Sequence, residues 1–279
     1  MADTALVLGG GGGVGGAWMA GVLAGLAEAG VDVSSADVVI GTSAGAIQGA
    51  RLATGVSVAE SYERQLAGAD AVELTVTAGQ TARFLWAAIG SRNPQRSVER
   101  LGRAALAART GPESEVFDTV GRLLGDVRHW PERELRITAI DARTGALRVF
   151  DAHAGVSLLA AVAASCAVPV VWPPVTLGGR RWMDGGSRST GNLQLAREHR
   201  RIVAITPIPR AVGPHPSAAR QAAGLAEGGA RVSLLAPDRA ARRAMGRNML
   251  DDSRRPASAR AGRDQAVALA DSVASVWHG

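Results

Sequence analysis

The sequence contains no lysine, since all 31 of its basic residues are arginine. Without a lysine amine, catalysis through a side-chain Schiff base is excluded. The only cysteine, Cys166, cannot form an internal disulfide and fits a reducing compartment, so we expect a cytoplasmic protein. Cys166 lies in an apolar run without a histidine nearby, and we interpret it as a buried core residue with no catalytic role.

Histidine and aromatic residues are also scarce. The five histidines are not spaced like metal ligands, so no metal site is expected. Aromatic residues make up 4% of the chain and do not alternate with arginines, which argues against nucleic-acid binding through base stacking. The net charge of +6 instead favours peripheral association with an anionic membrane surface.

No hydrophobic run is long enough to predict a membrane span. Residues 155–179 are uncharged, but Pro169 leaves only about 14 residues before the first proline, short of the roughly 20 that a spanning helix needs. We expect a core helix followed by an extended segment. The N-terminus, residues 1–4, carries no positive charge and precedes a run of glycines, which argues against a signal peptide.

Alternating strand and helix patterns predict an α/β fold. The 279 residues suit one domain, residues 1–279, with a core of about 4–206, a helical insertion of about 55–130 and a helical C-terminal extension of about 207–279. We expect three α/β/α layers around a mainly parallel sheet, with a helical cap in the middle of the chain. The predicted strands are 5–8, 37–41, 135–141, 146–151 and 201–206, and the predicted core helices are 17–29, 44–54 and 156–164.

A G-x-S-x-G pattern places Ser43 between Gly41 and Gly45, after the β-branched run 38–40. Small residues on both sides of a serine allow a sharp turn from strand to helix that exposes the hydroxyl to a carbonyl. With 35 glycines in the chain, an ordinary strand-helix turn explains the pattern equally well.

A glycine-rich segment, residues 9–16, follows the first predicted strand. Its amide groups, close to a helix N-terminus, suit either a phosphate or a developing oxyanion. Gly11, Gly13 and Gly16 also match the G-x-G-x-x-G dinucleotide pattern, but the second strand ends in Gly41 rather than near an acidic residue for a ribose.

Asp184 follows a short strand-like run and precedes Gly185 and Gly186. The two glycines would hold a carboxylate at a turn with little steric cover. A hairpin or loop corner is the alternative interpretation.

Together, the glycine loop, the Ser43 elbow and the Asp184-Gly185-Gly186 turn resemble the patatin-like phospholipase family. The resemblance covers about residues 4–206 and includes segments 164–169 and 173–175, the Arg188-Ser189 pair and Asn192. One departure is Gly15, which stands where many members carry an arginine in the loop.

The resemblance implies a bacterial patatin-like serine lipid acyl hydrolase that acts on lipid or other esters. Ser43 would be the nucleophile of an acyl-enzyme and Asp184 its base, without a histidine. Gly11, Gly12 and Gly13, with Ala44, would bind the oxyanion, and no cofactor is implied. Acyl transfer by the same nucleophile, a nucleotide-binding module and a catalytically silent scaffold remain alternatives, and no oligomeric state is predicted.

A serine-acid-histidine triad would require a histidine after the acid, which leaves His199, His215 and His278. His199 lies in a charged helix end and His215 between prolines. We therefore interpret both as surface residues.

Two further segments carry notable side chains. Residues 84–89 are largely apolar between Arg83 and Arg92, which fits an interfacial helix, although a core-facing helix in the cap is the favoured interpretation. Asp251 and Asp252 are adjacent carboxylates whose side chains would diverge, and we interpret them as turn or capping residues.

Overall fold

Eight strands form a single sheet in the computed structural model, which describes residues 3–72, 76–211 and 213–279. They are β1 (Thr4–Leu8), β2 (Val38–Gly41), β3 (Glu134–Asp141), β4 (Leu147–Phe150), β5 (Val175–Leu177), β6 (Arg180–Asp184), β7 (Arg201–Ile205) and β8 (Arg231–Leu235). Hydrogen-bonded pairing follows the path β5-β6-β3-β2-β1-β7-β8, in which β6 and β2 pair with different parts of one edge of β3 and β4 pairs with its opposite edge. The pairs β3-β2, β2-β1, β1-β7 and β7-β8 are parallel, whereas β4 and β6 pair antiparallel with β3.

Ten α-helices lie in the same described residues. They are α1 (Gly12–Glu28), α2 (Ala44–Ala53), α3 (Val58–Leu66), α4 (Ala78–Ile89), α5 (Pro94–Leu106), α6 (Glu113–Leu124), α7 (Leu158–Cys166), α8 (Ala218–Glu227), α9 (Arg239–Met245) and α10 (Arg255–Trp277). None of the described helices is both long enough and apolar enough to cross a bilayer.

The helices cover both faces of the sheet because strand side chains alternate between the two faces. Along β1, Leu6 and Leu8 belong to the main core, which also contains buried residues of α1, α2, α6, α7 and α10. Ala5 and Val7 point into a smaller core formed with α8 and the 3₁₀ helix Leu193–Ala196. This arrangement confirms the predicted three-layer α/β fold with a mainly parallel sheet.

The structure differs from the sequence prediction in the start of one helix and in the presence of one further strand. Helix α1 begins at Gly12 rather than at residue 17, so most of the predicted glycine loop forms the first turns of a helix. The segment 207–279 is not wholly helical, because β8 pairs with β7 and extends the parallel sheet. The start of α1 was predicted too late because glycine has low helix propensity, which packing against neighbouring elements overrides.

Glycines allow α1 and α10 to pack backbone against backbone. A Cβ atom on Gly21 would overlap the carbonyl oxygen of Ala259, and one on Gly262 would overlap the carbonyl oxygen of Trp18. Side chains at either position would therefore separate the helices. The close contact connects the C-terminal helix firmly to the helix that begins at the glycine loop.

We predict that Gly21→Ala lowers the free energy of unfolding by about 1–2 kcal/mol, since the added methyl overpacks the helix interface. Gly224→Ala is the matched control: Gly224 lies in α8 with no atom within 4 Å of an added Cβ. That substitution should stabilise the protein by about 0.5–1 kcal/mol through helix propensity. Urea unfolding measures both, and a Gly21→Ala variant as stable as the wild type contradicts the close packing.

Candidate active site

Ser43 lies at the turn between β2 and α2, one residue before the helix begins. Its backbone angles, φ 54° and ψ −120°, are in a region that residues with a side chain rarely adopt. Such strain persists only where the surroundings fix it, and it projects the side chain away from the strand and helix. The local geometry is that of a nucleophile elbow.

Two flanking glycines are required by close backbone approaches. A Cβ on Gly45 would overlap the carbonyl oxygen of Leu8, at the end of β1. A Cβ on Gly41 would lie 2.6 Å from the Cα of Ala46. The G-x-S-x-G spacing is therefore explained by the tight packing of the elbow against β1 and α2.

The pairing of β3 brings Asp184 to the elbow. Strand β4 pairs with one edge of β3, and both β2 and β6 pair with the opposite edge. Gly41, the last residue of β2, is opposite Ile137, and Asp184, the last residue of β6, is opposite Ala139. Because β2 and β6 run in opposite directions, their C-terminal ends face each other about 7 Å apart along β3.

The Ser43 hydroxyl and the Asp184 carboxylate form a buried pair. Ser43 is 8% exposed and Asp184 is 6% exposed. Burial raises the pKa of Asp184 to about 6, while hydrogen bonds from the Ser43 side chain and the Gly186 amide oppose the rise. The Gly186 amide donates to Asp184 Oδ1 at 2.6 Å. The turn that follows β6 therefore fixes the carboxylate beside the hydroxyl.

A buried network connects the two turns through β3. Thr42 Oγ1 is 2.8 Å from Thr138 Oγ1, and Asn192 Nδ2 donates to Thr42 Oγ1 at 3.0 Å and to the carbonyl oxygen of Gly185 at 3.3 Å. A Cβ on Gly185 would overlap Thr138 Oγ1. The sequence analysis did not identify Thr138 as a residue of the site, although a threonine between apolar residues of a strand indicates a buried polar contact.

Helix α7 supports the elbow from the other side. Ser165 Oγ accepts a 2.9 Å hydrogen bond from the amide of Ser43. The next residue, Cys166, is half-buried and lines the same cavity as Ser43. Cys166 also packs against the main core, so its interpretation as a buried core residue holds for part of its surface, while the rest faces the cavity. Burial and the charge of Asp184 hold the pKa of its thiol well above the usual value, so the thiol is protonated.

The glycine segment contributes amide groups to the site. Among the described residues, the amides of Gly11, Gly12, Gly13 and Ala44 have no hydrogen-bond acceptor. Gly12, Gly13, Gly16 and Ala44 line the cavity that contains Ser43, whereas Gly11 does not. A Cβ on Gly11 would lie 2.6 Å from Cβ of Pro207. The unbonded amides that line the cavity therefore belong to Gly12 and Gly13 at the N-terminus of α1 and to Ala44 at the N-terminus of α2.

The cavity beside Ser43 encloses about 890 Å³ including its open mouth. Its walls come mainly from α2, α6 and the segment after α7, and most of the lining side chains are apolar. They include Ile47, Val116, Val120, Leu123, Val168, Val171, Trp172 and Leu250. Such walls suit a hydrocarbon chain.

The histidines lie apart from this cavity. His199 and His215 are both buried, so their interpretation as surface residues is wrong. His199 Nδ1 lies 3.3 Å from the carbonyl oxygen of Ala196, and burial together with Arg188 lowers the pKa of His215. Neither residue lines the cavity. In the described part of the chain, no group of three or more His, Cys, Asp and Glu side chains could hold a metal ion.

A family model, patatin-like phospholipase, matches residues 6–197 and so covers both Ser43 and Asp184. Among solved structures, the chain is similar to VipD from Legionella pneumophila, with 15% identity, a TM-score of 0.49, and coverage of 97% of this chain and 67% of that chain. It is also similar to the type III effector protein ExoU, with 15% identity, a TM-score of 0.40, and coverage of 97% and 53%.

This chain therefore spans about two thirds of the first structure and about half of the second. No curated protein matches the sequence. The family model covers well over half of the chain. The chain belongs to the patatin-like phospholipase family of ester-hydrolysing enzymes.

Proposed function

We propose that the protein deacylates lipid esters through a Ser43-Asp184 dyad and an acyl-enzyme intermediate. The single observation that carries this proposal is that two buried side chains, the Ser43 hydroxyl and the Asp184 carboxyl, lie beside each other at the meeting point of β2 and β6. The apolar cavity beside them supports a fatty acyl substrate.

In this mechanism, Ser43 Oγ attacks the ester carbonyl while Asp184 accepts the hydroxyl proton. Negative charge develops on the former carbonyl oxygen, where the amides of Gly12, Gly13 and Ala44 would donate. Each such donor is typically worth roughly 10²–10³ in rate. Collapse of the intermediate expels the alcohol, which takes the proton from Asp184. Asp184 then deprotonates a water molecule that attacks the carbonyl of the acyl-enzyme, and the proton passes from Asp184 to Ser43 Oγ as the free acid leaves.

The raised pKa of Asp184 matches its proposed role. A carboxylate with a pKa near 6 is a better proton acceptor than a solvated aspartate and is still mostly ionised at neutral pH. Its burial also lowers the local dielectric, which strengthens electrostatic interactions between the carboxylate and the hydroxyl. A buried charged carboxylate also lowers the free energy of unfolding.

We predict that Ser43→Ala and Asp184→Asn each lower p-nitrophenyl ester turnover at least about 100-fold, since each removes one half of the dyad. His199→Ala and His215→Ala should retain most of the turnover, because neither histidine lines the cavity. Both histidines are buried, so all rates are compared at a temperature where circular dichroism shows the variant folded. Loss of turnover in a folded histidine variant, with Asp184→Asn active, would refute the dyad.

Activity and the contribution of Asp184 to stability should respond to pH in opposite directions. We expect kcat/KM to rise with pH through about 6 as Asp184 ionises, and to level off above it. The folded-state pKa of Asp184 exceeds the ordinary 3.8, so its contribution to stability is most favourable below about 3.8 and is lost as pH rises through about 6.

Asp184→Asn removes this charge and should therefore raise the free energy of unfolding at pH 8 by about 2–3 kcal/mol relative to its effect at pH 4. Urea unfolding at the two pH values measures the difference. An equal effect of the substitution at both values would show that the pKa of Asp184 is not raised in the folded protein.

We further propose that α4 contacts an anionic lipid surface. Leu85, Trp86 and Ile89 project outward, with Trp86 68% exposed, so the favoured interpretation of a core-facing helix is wrong for these side chains. Arg83 is exposed on the same helix, and the Arg100 guanidinium lies 4.4 Å from the Trp86 ring centroid. Exposed apolar groups among arginines fit a membrane interface with anionic lipids.

Helix α4 is attached beside the cavity, since Gln80 Nε2 donates to the carbonyl oxygen of Val170 at 3.1 Å and Val171 lines the cavity. Trp86→Ser should weaken binding to phosphatidylglycerol vesicles roughly tenfold, as expected for the loss of one large buried side chain. Co-sedimentation measures this, with Val267→Ser, an exposed apolar residue of α10, as the control. Unchanged binding of Trp86→Ser would exclude α4 as the contact surface.

A further inference from the structure

The cavity beside Ser43 runs along one face of α2 and one face of α6. On each helix the lining positions repeat with the three- and four-residue spacing of a single face. They are Ala44, Ile47, Gln48 and Arg51 on α2, and Val116, Thr119, Val120 and Leu123 on α6. The two faces meet where Arg51 donates to the carbonyl oxygen of Leu123. The last lining residue of each helix therefore belongs to the same end of the cavity.

A buried ion pair closes this end. Arg51 and Asp70 are each 2% exposed, and Arg51 donates to both carboxylate oxygens, at 2.6 and 2.9 Å. Asp70 also accepts from the Arg64 guanidinium at 2.7 Å and from Gln65 Nε2 at 2.6 Å. Burial raises the pKa of Asp70, but the hydrogen bonds and the charge of Arg51 outweigh it and lower the pKa to about 2. The pair is therefore charged at neutral pH.

An apolar chain cannot pass between these two charges. Any hydrogen bond of the pair that a hydrocarbon displaced would leave a buried charge unsatisfied, which costs more free energy than the burial of a methylene group provides. The bonds to Leu123, Arg64 and Gln65 hold the pair in place from several sides. The ion pair thus forms a rigid polar wall at the end of a mainly apolar cavity.

Arg51 also separates this cavity from a second groove. The groove is lined by Arg51 itself and, among other residues, by Thr54, Val56 and Leu124. Leu123 and Leu124 are consecutive in α6 and line different spaces. Replacing the ion pair by apolar side chains would therefore extend the cavity into the groove.

The spacing along α2 gives the cavity a length. The helix rises about 11 Å between Ala44, next to the nucleophile, and Arg51. With C–C bonds of about 1.5 Å at tetrahedral angles, an extended acyl chain of roughly ten carbons covers this distance. A longer chain would meet the charged pair.

We propose that the Arg51-Asp70 pair ends the acyl-binding cavity and limits the bound chain to roughly ten carbons, so that esters of medium-chain acids are the preferred substrates. This inference rests on the proposed function. With the ester carbonyl at Ser43, the chain lies between α2 and α6 and its terminal methyl group reaches the pair. Arg51 and Asp70 do not touch the reacting atoms; they determine specificity for chain length.

The test compares p-nitrophenyl butyrate, octanoate and palmitate in the same neutral detergent micelles. In the wild type, kcat/KM should fall at least about tenfold from octanoate to palmitate, since the excess methylenes stay outside the cavity. Arg51→Met combined with Asp70→Leu should raise the palmitate-to-octanoate ratio about tenfold or more, because each further buried methylene contributes about fourfold. Butyrate is too short to reach the pair, so its kcat/KM should stay close to that of the wild type.

Arg64→Gln is the matched control. Arg64 pairs with the same carboxylate, but its side chain is 31% exposed and does not line the cavity. Its palmitate-to-octanoate ratio should equal that of the wild type. The double variant replaces a buried ion pair by apolar residues of similar volume, a change that is often neutral for stability. If it nevertheless does not fold, Val120→Phe tests the same path, because a larger side chain in the α6 wall should lower octanoate turnover relative to butyrate.

A wild type that hydrolyses palmitate as efficiently as octanoate refutes the length limit, and so does an unchanged palmitate-to-octanoate ratio in the folded double variant. In the Val120→Phe experiment, an unchanged octanoate-to-butyrate ratio has the same meaning. In each of these cases ester hydrolysis itself stands, so the proposed function survives.

A second measurement requires no catalysis. Octanoic acid should raise the Tm of the wild type more than palmitic acid does at the same monomeric concentration, and the order should reverse in the double variant. If the wild type hydrolyses none of the esters but this order and its reversal are observed, the proposed function fails while the acyl site stands. Equal effects of the two acids in both proteins would contradict the acyl site.

Discussion

The whole site depends on how one edge of β3 is shared. Strand β2 pairs in parallel with the first half of that edge and β6 pairs antiparallel with the second half, so their C-terminal ends face each other across Thr138. Each end then continues into a glycine-supported turn, one carrying Ser43 and the other Asp184. A hydroxyl and a carboxylate from distant parts of the chain meet because hydrogen-bond register, which is among the stiffest features of a protein, fixes both strand ends.

Burial gives this pair its chemical character. The same packing that excludes water raises the pKa of Asp184 to about 6. The surrounding polar groups, Thr42, Thr138 and Asn192, hydrogen-bond to one another and to the turns rather than to the carboxylate, so they hold its position without neutralising it. The strained backbone of Ser43 is maintained by contacts with β1 and α7. The buried carboxyl and the strained serine backbone lower stability locally, and the large apolar cores stabilise the fold elsewhere.

Much of the fold could be predicted from the sequence, because strands β1, β2 and β7 contain continuous apolar runs. The positions of Ser43 and Asp184 at two glycine-supported turns could be predicted as well, because the glycine spacings are sterically required. The start of α1 could not be predicted, since a run of glycines has low helix propensity and its first turns depend on contacts with Met249 and with α10. Thr138 carries a local signal, but its hydrogen-bond partners Thr42 and Asn192 are distant in sequence, so its role could not be predicted. The outward direction of Trp86 is likewise set by tertiary packing, which buries Ala87 and Ala88 instead.

The central claim is that the hydroxyl at the β2-α2 turn is the nucleophile. Labelling the protein with a fluorophosphonate and mapping the adduct by mass spectrometry tests it most directly, because the reagent captures an activated serine covalently. The account predicts one adduct, on Ser43, formed more slowly when Asp184 is replaced by Asn. A stoichiometric adduct on any other residue, or none under conditions where the protein hydrolyses esters, would contradict it.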